Sequence, residues 1–176
     1  MTDTEELQFQ LDALETGPIR RFAEWPDPSV PKVAAGVYTI WDAEHFVYVG
    51  MAGRAITSER TSSKPTGLWD RLRSHAEGRR SGNQFCVYVC DRFIVPNLTP
   101  DEQARIGAGI LSLDHLTRRY IHDRLAYRYV ITATPGEARS LERLVQSGTL
   151  QAGAPFLNPL RTTESGHTDS EPGRVG

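Results

Sequence analysis

Two β-rich runs, VAAGVYTIW at 33–41 and HFVYVG at 45–50, are separated only by Asp42, Ala43 and Glu44. Segments dense in Val, Ile, Tyr and Phe with so short a polar connection fold as an antiparallel hairpin. A chain of 176 residues with 39% hydrophobic content has material for one core and little for two. The rest of the chain must therefore find its place against that hairpin.

Residues 4–15 space Leu7, Leu11 and Leu14 as one face of a helix, stopped by Gly17-Pro18. The three prolines of 25–32 predict an extended connection, and the polar stretch 53–67 predicts an exposed loop of more than ordinary length. Helical period returns in GLWDRLRSHAEGRR at 67–80, with Leu68 and Leu72 inward, and QFCVYVC at 84–90 predicts a strand. Thr99-Pro100-Asp101-Glu102 has the cap, proline and glutamate of a helix start, and helical pattern runs on, broken near Ser112, to about Leu125. YRYVITA at 127–133 predicts another strand, and Thr134-Pro135-Gly136-Glu137 caps a last helix. The expected class is α+β, a small, mostly antiparallel sheet flanked by helices, with an N-terminal helix and a helical insertion. We divide the chain into a lead helix and linker at 1–33, the main domain at 34–161, and a tail at 162–176 too polar to bury anything, hence disordered.

Cys86 and Cys90 are the only cysteines, and four residues along a strand is too far for an ordinary disulfide, so two buried thiols are expected. Neither a signal-like segment nor a membrane-spanning run is present, which predicts a soluble, cytoplasmic protein without membrane partners. The net charge of −2 excludes nucleic-acid binding driven by overall basicity. Any such binding needs a local patch, and all but Lys32 and Lys64 of the cationic side chains are Arg, whose planar fork suits phosphate.

Three features carry chemistry. Arg71 and His75 stand four apart, one helical turn from each other, beside the Leu68/Leu72 stripe. Glu142 falls between Ala138, Leu141 and Val145, on the apolar stripe of its helix, where a carboxylate must be paired, protonated or metal-bound. Tyr38 and Tyr48 lie on adjacent strands of the hairpin. Taken singly, each has an ordinary explanation: a solvated helix flank, an arginine partner, sheet packing.

Taken together, GVY (36–38), nine residues, YVG (48–50), the Arg71-x-x-x-His75 helix, the helical Glu142 and the Asn158 of FLNP resemble the GIY-YIG nuclease superfamily. The likeness covers about 34–160 and is nearest to restriction-type members, through the long polar insertion before LWDRLRSH. The resemblance implies a divalent-metal-dependent DNA endonuclease, a phosphodiester hydrolase. Tyr38 would be general base for the attacking water, with Tyr48 as its neighbour. Arg71 would clamp the scissile phosphate, His75 would assist proton movement, and Glu142 would hold Mg²⁺ or Mn²⁺. Gly36, Gly50 and Asn158 would support the site, no organic cofactor is implied, and a homodimer would be one way to cut both strands. The sequence departs from the family at Met51, where lysine is common. Arg54, Arg73, Arg79 and Arg80 are the candidate DNA contacts. The alternative is an inactive DNA-binding or protein-interaction module on the same fold.

Overall fold

The computed structural model describes residues 3–54, 56 and 67–160. The expected hairpin is present. β2 (Gly36–Asp42) pairs antiparallel with β3 (His45–Ala52) through a tight turn in which Ala43 takes a positive φ of 52°. β4 (Leu125–Ile131) pairs antiparallel with the other side of β2, and a two-residue β1 (Arg20–Arg21) completes an antiparallel sheet of order β1-β4-β2-β3. The fold is thus α+β with a small antiparallel sheet; β1 is too short to show in the sequence pattern.

Side chains alternate between the two faces of this sheet and so divide the core in two. On one face Tyr38, Ile40, Tyr48, Leu125 and Tyr127 pack against α2 (Leu68–Ala76), α3 (Gln84–Val89) and α5 (Leu113–Arg124). On the other, Val37, Trp41, Phe46, Val49 and Val130 meet α1 (Asp3–Glu15) and α6 (Pro135–Gln146). The alternation breaks once. Register shifts between Ile40, opposite Tyr48, and Trp41, opposite Phe46, leaving Val47 as an extra residue in β3. This β-bulge puts Val47 and Tyr48 together on the α2/α3 face while Phe46 faces α6.

Helix starts follow their caps. Thr99 and Glu102 form a complete capping box on α4 (Pro100–Gly107), Ser112 caps α5, and Thr134 accepts from Glu137 N on α6. The strand predicted over 84–90 is a helix instead. Asn83 caps it by accepting from Cys86 N, and a π-type turn continues it over Cys90–Ile94. A short apolar run buried on most sides reads alike as strand or helix, and here packing between α2 and the sheet overrides the β-propensity of its residues. Cys86 and Cys90 are nevertheless buried, free thiols. Residues 25–32 are less extended than predicted: Asp27 Oδ1 accepts from Ser29 N at 2.8 Å, which closes a turn. The predicted tail and most of the 53–67 loop lie outside the described residues. Among those described, no helix is long and apolar enough to cross a membrane.

Candidate active site

The sequence of β2 and β3 sets a close approach. Tyr38 stands opposite Gly50 in the register, and its ring lies over that glycine: a Cβ on Gly50 would come within 2.6 Å of Tyr38 Cζ. Gly36 meets a similar limit, where a Cβ would lie 2.8 Å from Leu68 Cδ1 and closer still to the Val130 carbonyl. The two glycines let α2 and the Tyr38 ring settle onto the hairpin, so each glycine has a steric reason to accompany its tyrosine.

α2 presents His75 to this pair. The Tyr38 hydroxyl lies 2.7 Å from His75 Nε2, and both residues are fully buried. Tyr48, Tyr38 and Phe85 surround the imidazole, with ring centroids 6.0, 5.4 and 4.5 Å away. Such a setting disfavours charge. Burial first, then the neighbouring Arg71 cation, push the His75 pKa down to about 3, so the ring is neutral near neutral pH. Burial raises Tyr38 well above the ordinary phenol value and outweighs the opposing pull of Arg71; Tyr48 is raised by the same cause. The site therefore holds a protonated Tyr38 against a neutral imidazole, rather than a resting phenolate.

Arg71, one turn before His75, reaches the open side. A cleft of 310 Å³ is lined there by Met51, Gly53, Arg54, Asp70, Arg71 and Ser74. Larger hollows, such as one of 610 Å³ beside His45 and Phe156, lie away from the tyrosines.

Glu142 comes from α6, on the opposite face of the sheet, and turns to the outer edge of β3. β3 is an edge strand, whose outward amides need partners. Glu142 Oε1 accepts from Met51 N at 3.1 Å, while Asn158 accepts from Val49 N at 3.2 Å and donates to Val49 O at 2.7 Å. Burial raises the Glu142 pKa, opposed by Arg54, the Met51 amide, Arg71 and Arg139 in that order. The carboxylate is thus within electrostatic reach of the cleft cations and of both tyrosines. Tyr38, Tyr48, Arg71, His75 and Glu142 converge around the end of the hairpin, and Asn158 braces its edge.

The expected basic patch is rearranged. Arg73 is held between Asp70 at 2.8 Å and Glu77 at 3.2 Å, and Arg80 pairs with Asp114 at 2.6 Å. Each is thus paired with an acidic neighbour at the surface. Arg79 is exposed and in no ion pair among the described residues. Arg54 stays at the cleft, and Arg139, which the sequence reading missed, lies in electrostatic reach of Glu142; its position three before Glu142 on α6 was the available signal. Asn83 was missed as well.

Among the described residues, no group of three or more His, Cys, Asp or Glu gathers to hold a metal. A single carboxylate suits Mg²⁺ all the same, an ion bound through one or two carboxylates with waters and substrate phosphate completing its shell. Glu142, with one oxygen anchored by the Met51 amide, fits that role. Comparisons with protein-family models, with curated proteins and with solved structures find no match to this chain.

Proposed function

We propose that this chain is a metal-dependent DNA endonuclease of the GIY-YIG type. The observation that carries the reading is the buried Tyr38–His75 contact of 2.7 Å, with Arg71, which lines the adjoining cleft, in electrostatic reach of both Tyr38 and the Glu142 carboxylate. Hydrolysis of a phosphodiester needs an activated water, neutralisation of the phosphoryl oxygens and help for the leaving oxygen. Arg71, with Arg54 in the same cleft and Arg139 in electrostatic reach of Glu142, supplies fixed positive charge for a phosphate. Tyr38 accepts a proton from the attacking water as it passes its own to His75 Nε2. The relay avoids a buried phenolate but forms an imidazolium that burial and Arg71 also disfavour, so that cation exists only while negative charge develops on the phosphate. Tyr48 packs beside Tyr38, with ring centroids 6.4 Å apart, and limits the phenol's movement. A divalent cation on Glu142 would supply charge neutralisation at the phosphoryl and leaving oxygens.

The test incubates the protein with supercoiled, branched and single-stranded DNA, with Mg²⁺ or with chelator, beside Tyr38→Phe and Glu142→Ala. Metal-dependent nicking, abolished in both variants, supports the proposal. DNA retained without nicking of any substrate replaces it with an inactive binding module. Linear product forming without accumulation of the nicked circle would point to paired protomers.

A further inference from the structure

The polar group behind His75 is Asn83, 3% exposed and anchored on three sides. Its Nδ2 lies 3.0 Å from both the Ser74 carbonyl and Ser74 Oγ, and its Oδ1 accepts from Cys86 N at 3.3 Å as the cap of α3. These partners fix the amide's orientation. The Ser74 carbonyl can only accept and the Cys86 N–H can only donate, so a flipped amide would set acceptor against acceptor and donor against donor. His75 Nδ1 lies nearly equidistant from the two amide atoms, 3.2 Å from Oδ1 and 3.1 Å from Nδ2. Both Nδ2 hydrogens are already directed to Ser74. Oδ1, with a lone pair to spare, is the partner that remains, and it requires a hydrogen on Nδ1.

We infer that Asn83 is a positioning residue that locks His75 in the Nδ1-protonated tautomer, reserving Nε2 as the acceptor for the Tyr38 hydroxyl proton. An imidazole in the other tautomer would donate from Nε2 to the Tyr38 oxygen and have no lone pair there to receive a proton. The chain thus uses a neutral amide where a carboxylate would serve elsewhere. An amide orients the ring while raising its basicity less than a negative charge would, so that burial and Arg71 still hold the His75 pKa at about 3. The tautomer stands on geometry alone; its consequence for turnover rests on the nuclease reading.

Long-range ¹H–¹⁵N correlation of the His75 ring, on the ¹⁵N-labelled full chain without DNA at neutral pH, reads the tautomer directly. The expected spectrum has a protonated Nδ1 and an unprotonated Nε2. Asn83→Asp, nearly isosteric, gives up the donor to the Ser74 carbonyl but keeps an acceptor toward Nδ1 and the Cys86 N–H, and should keep that pattern while moving the His75 titration to higher pH. Asn83→Leu should populate the Nε2-protonated form and, on whichever DNA the wild type nicks, lower kcat about 10²-fold or more with little change in KM. An Nε2-protonated ring in the wild type overturns the inference. So does an unmoved titration in Asn83→Asp, a readout that survives if the leucine variant fails to fold. Lack of nicking in every protein, with the ring behaving as expected, would count against the nuclease reading alone.

Discussion

Gly50 and His75 are where single atoms decide the site. Because Tyr38 lies over Gly50, Gly50→Ala must push the phenol off His75 or move the strand. We expect a loss of about 1–3 kcal/mol in urea denaturation, the usual cost of overpacking, with loss of nicking in protein that remains folded. An alanine variant of wild-type stability would show that the approach is looser than described. His75 makes a prediction in pH. Its folded pKa lies below its unfolded value, so the stability it contributes is complete above about pH 6.5 and is lost as pH falls toward about 3. The loss is on the order of 4 kcal/mol at the acid end. Glu142, raised by burial, works in the opposite sense over the carboxylate range, so the useful measurement is a difference. The urea midpoint of wild type should fall more steeply below pH 6.5 than that of His75→Gln; equal slopes would contradict the neutral, buried imidazole.

At the scale of elements, caps were the most legible feature and buried apolar runs the least. Thr99→Ala removes a complete capping box far from the tyrosines and should cost about 1 kcal/mol by thermal melting while nicking is unchanged. A large fall in activity would mean that α4 takes part in binding. The box was readable because cap, proline and glutamate sit at fixed offsets, and the hairpin because its two runs flank so short a turn. Tyr38, Tyr48, Arg71 and His75 were readable because a strand register and a helical turn hold them at fixed spacing. α3 was not. QFCVYVC has the composition of a strand, and the residue that settles it, Asn83, acts through Cys86 N and the chain of α2, which no local pattern reveals. Misreading α3 also hid the partner of His75. β1 escaped for a simpler reason, since two residues show no alternation.

For the whole molecule, a net charge of −2 makes the distribution of charge matter more than its sum. If Arg54, Arg71 and Arg139 meet the phosphates, Arg139→Ala should weaken DNA binding at every sequence and reduce the slope of log K against log salt by about 1. Arg73→Ala, which breaks pairs with Asp70 and Glu77, should leave the slope unchanged. A reversed result would move the DNA to the α2 flank. The sheet divides this molecule into two interiors, and the extra residue Val47 decides which side chains enter each. Were residues 46–48 paired regularly with no bulge, strict alternation would put Tyr48 on the side of Phe46, in the α6 interior, while Tyr38 stayed with His75. Val47 acts as a one-residue phase shift in β3: it lets the turn-proximal part of the strand serve structure and the part beyond it serve chemistry. Deleting Val47 should therefore regularise the pairing and leave Tyr48 beside Tyr38 with nicking retained; loss of nicking from a hairpin that still closes would contradict this.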